Sequence, residues 1–437
     1  MTPHEMVHPP HGPRTDVIVI GAGHAGLSAS YLLKQRGIRH VVLERGEIGN
    51  SWKRERWESF RLLTPNWRVQ LPGFCYDGRD PDGFMDAVAF TNVLKRYALK
   101  NALPVVTGAA VHSLGKKGET FTVRANAGTW QARAVIIASG AFNRPKVPDL
   151  AKQLPSDLKQ LTPFDYRAAG SLLPGGALVV GASATGVQIA DELARSGRAV
   201  TIAVGEHVRM PRRYRGRDIF YWLSRSGIHD QRYDEIDDLT RGRNLPSPQL
   251  VGRDLPELFD LNHLRSLGVR ITGKLAAVED RTLHFSGGLH NVCALADQKL
   301  QRVLKEIDAV ADREGAPRGK QILPTELESS PPLTLELERR GIRNVIWATG
   351  FAPDYSWLEV PVLDRNGQLR HAGGVVACSG LYALGLPLLR RRKSSFIFGI
   401  EDDATDIVDH LAAYLDNQFR RERHEFYHDS RAIERVC

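Results

Sequence analysis

The chain has 437 residues, of which 42% are hydrophobic, and carries a formal net charge of +9. This length and apolar content allow two or three domains with buried cores. The four cysteines, Cys75, Cys293, Cys378 and Cys437, are far apart and form no C-x-x-C pair. Their spacing argues against structural zinc, a disulfide framework and a dithiol redox centre, and we expect no metal site. A reducing cytoplasm is the expected compartment.

The positive charge is concentrated in short arginine clusters and does not form a long basic face with interleaved aromatic residues. No nucleic-acid partner is therefore expected. The N-terminal sequence contains no apolar signal region, and the most apolar stretch, residues 375–389, is interrupted by glycines and a proline. We expect no membrane span, because that stretch is also too short to cross a bilayer. Residues 1–14 are predicted to form a mobile arm.

The strongest motif spans residues 16–44 and reads DVIVIGAGHAGLSASYLLKQRGIRHVVLE. A short β-branched run precedes Gly21, Gly23 and Gly26, which form a G-x-G-x-x-G turn before a helix. The first glycine permits the tight turn, the second lets the backbone approach a pyrophosphate, and the third lets the helix pack closely. Glu44 ends the second strand, where a carboxylate accepts hydrogen bonds from ribose hydroxyls. The stretch therefore predicts a dinucleotide site.

A second unit of the same kind spans residues 178–204. Its turn contains Gly181, Ser183 and Gly186, so a serine takes the place of the middle glycine. A serine there narrows the approach to a pyrophosphate without blocking it. The position that corresponds to the ribose-binding acid falls on Val204, which cannot accept a hydrogen bond through its side chain.

An arginine cluster, RMPRRYRGR, follows at residues 209–217. A missing acid together with guanidinium groups is the arrangement that a 2′-phosphate requires. We therefore predict NADPH rather than NADH, with arginines of this cluster on the phosphate. Glu206 is an opposing charge at this place, and a solvated basic loop is the alternative interpretation.

Two predicted strands share an ending, Ala-Ser-Gly at Gly140 and Ala-Thr-Gly at Gly350, and each is followed by a phenylalanine and a proline-containing turn. The repeat indicates that the chain leaves one domain near residue 140 and re-enters it near residue 350. We expect an α/β fold with two dinucleotide-binding Rossmann-like domains, in which an NADPH domain is inserted into a discontinuous FAD domain. The expected ranges are 15–150 for the first part of the FAD domain, 165–340 for the NADPH domain, and 341–437 for the second part with a C-terminal helix.

These residues resemble the flavin-containing monooxygenases, which are class B flavoprotein monooxygenases. The resemblance covers residues 15–415 and is carried by GAGHAGLSA, GNSW at 49–52, LPG at 71–73, the ASG and ATG strand ends, GASATG, and DDA before the last helix. It is closest to the bacterial branch that includes YUCCA-like enzymes and is often grouped as cation-efflux-associated oxidoreductases. The resemblance implies FAD at the first turn and NADPH at the second. The expected cofactor-binding residues are Gly21, Gly23, Gly26, Glu44, Arg45, Ser51, Trp52, Val111, Gly140, Gly181, Ser183, Thr185, Gly186, Arg209, Arg212, Arg213, Gly350, Asp403 and Ala404.

In that family NADPH reduces FAD, and O2 then forms a C4a-(hydro)peroxyflavin that a soft nucleophile attacks. The resemblance thus implies an NADPH-dependent FAD monooxygenase, which inserts one oxygen atom of O2 into a small organic substrate, either an N- or S-containing nucleophile or an α-keto acid. Thr64, Asn66 and Lys393 are the expected polar groups near the flavin or substrate. The identifying motif of the family, F-x-G-x-x-x-H-x-x-x-Y/W, keeps only Tyr166, and the asparagine that many members place near the flavin falls on Leu63.

Three alternatives stay open at this point. The protein could be an NADPH oxidase or diaphorase that releases peroxide, a Baeyer–Villiger oxidase of ketones, or a redox-sensing accessory flavoprotein whose output is binding. The expected partners are O2 and a small-molecule substrate, and a homodimer is one expected assembly.

Overall fold

The computed structural model describes residues 11–253 and 258–433. Most of the expected N-terminal arm, residues 1–10, lies outside the described residues. Residues 11–14 begin a strand whose backbone pairs with residues 128–137. The prediction of a mobile arm is therefore wrong for these four residues, because a sheet partner holds them.

The first part of the chain alternates strands and helices as the motif predicts. Its strands are β1 His11–Ile20, β2 His40–Leu43, β3 Gln70–Leu71, β4 Phe74–Cys75, β5 Val105–Val106, β6 Val111–Lys117, β7 Thr120–Ala125, β8 Gly128–Ile137 and β9 Arg144–Pro145. Its helices are α1 His24–Gln35, α2 Asn50–Arg54 and α3 Ala87–Lys100.

The middle of the chain forms the second unit. Its strands are β10 Lys159–Leu161, β11 Gly176–Val180, β12 Val200–Ala203, β13 Val208–Arg209, β14 Arg213–Tyr214, β15 Arg217–Asp218, β16 Pro248–Gln249, β17 Arg270–Thr272, β18 Leu275–Glu279, β19 Thr282–Phe285, β20 Thr334–Glu336 and β21 Ile342–Trp347. Its helices are α4 Ala184–Arg195, α5 Ile219–Arg225, α6 Leu239–Arg243, α7 Leu261–Ser266 and α8 Leu289–Arg313.

The last part of the chain is short in strands and ends in a long helix. Its strands are β22 Phe351–Ala352, β23 His371–Ala372, β24 Val375–Val376 and β25 Leu381–Ala383, and its helix is α9 Ile400–Ile433.

Within the described residues, nine strands form the first sheet, in the order β23-β24-β25-β8-β1-β2-β5, with β7 paired to β8 and β6 paired to β7. β1 lies between β2 and β8 and runs parallel to both. Ile18 and Val19 in β1 are completely buried, as expected for a parallel strand covered on both faces. Because β25 pairs with β8, the sheet joins the beginning of the chain to residues near its end.

In the described part of the chain, the second sheet has five strands in the order β10-β21-β11-β12-β17, all parallel. β21 lies inside this sheet, between β10 and β11, although the predicted boundary at 340/341 assigns it to the first domain. The boundary is therefore too early. After Gly350, β22 pairs with β9 in a separate two-stranded sheet, and the chain returns to the first sheet with β23, β24 and β25.

The segment that follows β15 contacts the C-terminal part of the chain. This contact forms a seam between the two units. The backbone N–H of Lys393 donates to the carbonyl of His229 at 3.1 Å, and that of Arg392 donates to the carbonyl of Gln231 at 3.0 Å. Residues 218–262, whose role the sequence leaves open between a lid and an interface, thus contact the C-terminal part of the FAD domain.

Candidate cofactor sites

The first glycine-rich turn joins β1 to α1, and close backbone approaches determine two of its glycines. Gly21 has a φ of +106°, and a Cβ atom there would lie 2.5 Å from the carbonyl oxygen of Ala138. A Cβ atom on Gly26 would lie 1.9 Å from the carbonyl oxygen of Gly21. Because both obstacles are backbone atoms, a larger residue would push α1 away from the sheet.

Gly23 is different, because a Cβ atom there would meet no heavy atom within 4 Å. It is the N-cap of α1, and no side chain caps the helix at this end. The first N–H groups of a helix have no partner within it, and the helix dipole is positive here. This open space at a helix N-terminus therefore fits a pyrophosphate.

Glu44 lies at the carboxyl end of β2, beside the same turn. Its carboxylate accepts hydrogen bonds from the backbone N–H of Ala22 at 2.7 Å and of Gly46 at 3.1 Å. Burial raises the pKa of Glu44, and the two N–H donors oppose that rise by favouring the charged form. Glu44 therefore fixes the shape of the turn in addition to any contact with a ribose.

The turn opens into a cavity of about 340 Å³. Two polar atoms of its lining residues, Ser139 Oγ and His24 Nε2, are shielded from solvent and have no hydrogen-bond partner. Buried polar atoms of this kind require a partner, which a polar dinucleotide such as FAD would supply. The cavity brings together the predicted residues Gly21, Gly23, Glu44, Arg45, Ser51, Trp52, Val111 and Gly140.

Arg45, Ser51 and Trp52 form one wall of this cavity. Arg45 donates a hydrogen bond to Ser51 Oγ at 2.9 Å and pairs with the carboxylate of Glu55. The Trp52 ring packs edge-on against Phe90, with 5.0 Å between the ring centroids. An anchored apolar wall of this kind suits the ring of a flavin.

Several residues that line the cavity are not predicted by the sequence analysis. His24 occupies a variable position of the glycine motif, and Ser139 lies within the Ala-Ser-Gly strand end, so both had a signal nearby. The other missed residues come from segments without a dinucleotide motif, and they are Asn50, Arg56, Asn143, Asp354, Trp357, Leu384, Gly385 and Ser395.

Asp403 and Ala404, which were predicted to approach the flavin, lie in the first turns of α9 and are completely buried. Asp403 pairs with Arg391 at 2.8 Å, and burial raises its pKa. They belong to the protein core because α9 begins at Ile400 and not near Ala404, and their approach to the flavin stays a prediction. Gly385 and Ser395 reach the cavity instead.

The three predicted catalytic residues do not line the cavity. Thr64 is buried, and the Asn66 amide accepts from the N–H of Met85 at 3.1 Å and donates to the carbonyl of Asp80 at 2.8 Å. Lys393 pairs with Asp230 and Asp402, at 2.5 and 2.6 Å. Asn66 and Lys393 therefore have structural partners, and a role of the three residues near the flavin or substrate stays a prediction.

The second turn joins β11 to α4 and reproduces the backbone of the first. Gly181 has a φ of +111°, with a Cβ position 2.3 Å from the carbonyl oxygen of Ala348, and a Cβ atom on Gly186 would lie 1.9 Å from the carbonyl oxygen of Gly181. Ser183 is the N-cap of α4, and Thr185 is the second residue of that helix. This turn is a second candidate dinucleotide site.

Gly140 and Gly350 mark corresponding places beside the two turns. Their φ angles are +85° and +91°, and a Cβ atom on either would meet no heavy atom within 4 Å. Gly140 lines the first cavity, and Gly350 follows β21 in the second sheet.

Two of the predicted phosphate-binding arginines are engaged inside the protein. Arg209 is 2% exposed and pairs with Asp260 at 3.1 Å and with Asp297. Arg212 is 3% exposed and donates to Asp218 and to the backbone carbonyl of Leu63, at 3.1 and 2.9 Å. The prediction for both is wrong, because their guanidinium groups already have buried partners.

Arg213 is exposed and lines a different cavity, also of about 340 Å³, together with Trp67 and Tyr221. This cavity lies beside β14 and the loop that follows Thr64. The structure thus separates the three arginines that the sequence grouped.

Another pair of cations lies close to the end of β12. Val204 donates its N–H to the carbonyl of Thr272 at 3.0 Å, as Glu44 does to Val106 at 2.9 Å, so Val204 is the structural counterpart of Glu44. Two residues further on, Glu206 contacts Lys299 at 2.7 Å and Arg241 at 3.7 Å. All three side chains are partly exposed.

Within residues 11–253 and 258–433, no three His, Cys, Asp or Glu side chains come together in a way that could hold a metal ion. Over the same residues, no helix has the length and apolar character needed to cross a membrane.

Comparison with known proteins agrees with the fold and with the two turns. Residues 18–230 match the family described as pyridine nucleotide-disulphide oxidoreductase. A CzcO-like uncharacterized oxidoreductase from Geobacillus kaustophilus is 32% identical over 90% of this chain and 99% of its own length. A flavin-containing monooxygenase from Stenotrophomonas maltophilia has a similar structure, with a TM-score of 0.65, 20% identity, and coverage of 92% of this chain and 99% of its own. A steroid monooxygenase bound to NADP has a TM-score of 0.53 at 14% identity, covering 93% and 86% of the two chains.

The fold and the two turns are those of an oxidoreductase with the two-domain architecture of the flavin-containing monooxygenases. The chain belongs to the CzcO-like oxidoreductases, the bacterial branch of the flavin-containing monooxygenase family that its motifs resemble. Membership of this family implies FAD and NADPH as the cofactors.

Proposed function

We propose that the protein is an NADPH-dependent FAD monooxygenase that inserts one oxygen atom of O2 into a small organic substrate, an N- or S-containing nucleophile or an α-keto acid. The observation that carries this proposal is the pair of matched turns in two sheets, the first of which opens into a cavity with unsatisfied polar atoms. When bound, FAD supplies hydride acceptance from NADPH and the activation of O2.

The residues of the first turn would hold and orient FAD. Gly23 and the N-terminus of α1 bind the pyrophosphate. The Glu44 carboxylate accepts hydrogen bonds from the ribose hydroxyls, and the Trp52 ring covers the flavin. Closure of the seam between the two units would exclude water from the reacting groups. No cysteine is among the residues that line the cavity in the described chain, which disfavours disulfide reduction at this place.

At the second turn, Lys299 and Arg241 are the cations that we assign to the 2′-phosphate of NADPH. They extend from α8 and α6 to the end of β12, where the ribose of a bound dinucleotide lies in this fold. The carboxylate of Glu206 holds them in place, and a phosphate would share or replace that partner. Arg209 and Arg212 serve folding instead, as their buried ion pairs indicate.

The oxygen step can be tested with the reduced protein. FAD-loaded protein is reduced anaerobically with NADPH and then mixed rapidly with oxygenated buffer while the absorbance is recorded. A transient species with absorbance between the oxidised and reduced bands, which lives longer with NADP⁺ present, supports a monooxygenase. Direct return to the oxidised spectrum with stoichiometric release of peroxide, both with and without candidate substrates, favours the oxidase.

A further inference from the structure

His24 is the one ionisable side chain in the first turn, and the mechanism above gives it no role. It is the first residue of α1, directly after Gly23, and it lines the cavity. Its neighbours in the lining include Trp52, whose ring centroid lies 6.4 Å from that of the imidazole, and the C-terminal residues Gly385 and Ser395.

The two ring nitrogens of His24 have different surroundings. The imidazole shares a hydrogen bond with the backbone of Ser395, whereas Nε2 is shielded from solvent and has no partner. Since Nε2 has no partner, we assign this interaction to Nδ1–H as the donor and the Ser395 carbonyl as the acceptor. A neutral imidazole has only one N–H, so Nε2 keeps a free lone pair.

The neutral form of this ring is the stable one. Burial lowers the pKa of His24 to about 4. The positive end of α1 acts in the same direction, because a cation is unfavourable at a helix N-terminus. At neutral pH, Nε2 is therefore a hydrogen-bond acceptor that the protein itself does not satisfy. A buried acceptor without a partner is unfavourable by about 1–3 kcal/mol, which a ligand donor would recover.

The position in the cavity indicates which part of the cofactor meets this acceptor. Of the lining residues, the motif and the family resemblance assign Glu44 and Val111 to the adenosine and Gly23 to the pyrophosphate. Trp52, Gly385 and Ser395 line the remainder, which is left for the flavin part of FAD. The His24 side chain lies next to two of these flavin-side residues, Trp52 and Ser395.

We propose that His24 is a positioning residue whose Nε2 accepts a hydrogen bond from the flavin part of FAD, either from a ribityl hydroxyl or from an N–H of the ring. The inference depends on the proposed function only in requiring that FAD occupies this cavity. Its chemistry is that of a neutral acceptor meeting an O–H or N–H donor, and no proton is transferred.

The chain contains a matched control in His40, which is also partly buried within the first domain. Both of its nitrogens have partners in the protein, Nε2 with Ser30 Oγ at 2.8 Å and Nδ1 with the carbonyl of Ile38 at 2.9 Å. Burial lowers the pKa of His40 as well. Both histidines are therefore neutral at neutral pH. They differ because only His24 has an acceptor without a partner.

The experiment compares His24→Leu, which removes the acceptor, with His24→Gln, whose amide oxygen can replace it, and with His40→Gln. FAD affinity is measured by reconstitution of the apoprotein, and the flavin midpoint potential by equilibration with a reference dye. We expect His24→Leu to weaken FAD binding about tenfold or to shift the potential, and His24→Gln to restore most of the loss. His40→Gln should change neither quantity.

The two readouts separate the two donors. Weaker binding with an unchanged potential indicates a ribityl hydroxyl, and a changed potential indicates an N–H of the ring, because the electron density of the ring changes on reduction. Wild-type affinity and potential in His24→Leu would overturn the inference, as would a His24→Gln variant as impaired as His24→Leu. If His24→Leu fails to fold, ¹⁵N-histidine spectra of the wild-type apoprotein decide, because FAD must then move the Nε2 resonance of His24. Failure of the wild-type protein to bind FAD would instead contradict the proposed function.

Discussion

The turn after β1 and the turn after β11 can be compared residue by residue. Gly21 and Gly181 have φ angles of +106° and +111°, and Gly26 and Gly186 have identical 1.9 Å approaches to the preceding glycine carbonyl. Even the N-cap residues coincide, with a ψ of −176° at one and −178° at the other, although one is Gly23 and the other is Ser183. The backbone of the two turns is therefore the same.

The side chains around the two turns differ. In the first turn the Glu44 carboxylate accepts a hydrogen bond from the N–H of Ala22, whereas its counterpart Val204 has no polar side chain. The carbonyl of Ala182 instead receives a hydrogen bond from the buried Gln249 at 2.8 Å. The outer glycines therefore serve the packing of a helix on a sheet, and we infer that the middle position and the residues at the strand end select the ligand.

The largest effect is expected at an outer glycine. Gly26→Ala places a methyl group against the carbonyl of Gly21, so we expect a loss of about 4 kcal/mol or more in the free energy of unfolding. Gly23→Ala is the control, because its methyl group enters open space. Chemical denaturation of the two apoproteins measures the difference, and equal stabilities would contradict the assignment of Gly26 to packing.

Arg209→Met should cost about 3–5 kcal/mol of stability, because it leaves the carboxylates of Asp260 and Asp297 without their buried cation. The exposed Arg213→Ala should change stability by less than about 0.5 kcal/mol. Unfolding curves of both variants check this prediction. If Arg209→Met were as stable as the wild type but bound NADPH more weakly, the original assignment to the phosphate would be restored.

His229 makes the stability of the folded protein depend on pH. It is 4% exposed, its Nδ1 shares a hydrogen bond with Ser224 Oγ at 2.8 Å, and burial lowers its pKa to about 3. Because the folded state excludes a proton that the unfolded chain binds below its ordinary pKa of about 6.5, stability is complete above that pH and decreases as the pH falls. Between about pH 7 and pH 5 we expect His229 to account for a loss of about 2 kcal/mol. The His229→Gln variant should show a correspondingly smaller decrease in denaturation experiments, and an equal decrease would contradict the cause.

Gly23→Ser makes the first turn resemble the second. We expect the variant to fold normally and to bind FAD about tenfold more weakly, because the hydroxymethyl group enters the space assigned to the pyrophosphate. Reconstitution of the apoprotein measures the affinity. The reverse change, Ser183→Gly, should leave FAD affinity unchanged, and a loss of FAD there would show that the two sites had been exchanged.

The smallest effect is expected for KM of the nicotinamide coenzyme. Lys299→Ala should raise KM for NADPH about fivefold and leave KM for NADH unchanged, since a partly exposed ion pair contributes about 1 kcal/mol. Lys305→Ala, on the same helix, is the matched control. Initial rates of flavin reduction measure both constants, and an equal rise for NADH would remove Lys299 from the phosphate site.

The parts that the sequence predicts well are those in which the signal is local. The two turns, their strands and their helices lie within short stretches, so the glycine spacing and the position of Glu44 were sufficient. The arginines were misjudged because their partners are remote in the sequence, as with Arg209 and Asp297. The walls contributed by Gly385 and Ser395 carry no dinucleotide motif, and only the pairing of β25 with β8 brings that part of the chain to the cavity.

The most direct test is anaerobic reduction of the reconstituted protein by NADPH, with Gly23→Ser and Ser183→Leu measured in parallel. We expect one FAD per chain and rapid bleaching of the visible band of oxidised flavin in the wild type. Gly23→Ser should fail mainly in flavin content, and Ser183→Leu, which fills the middle position of the second turn, mainly in the rate of reduction. A wild-type protein that retains no flavin, or whose flavin NADPH does not reduce, would contradict the claim that the two turns bind FAD and NADPH.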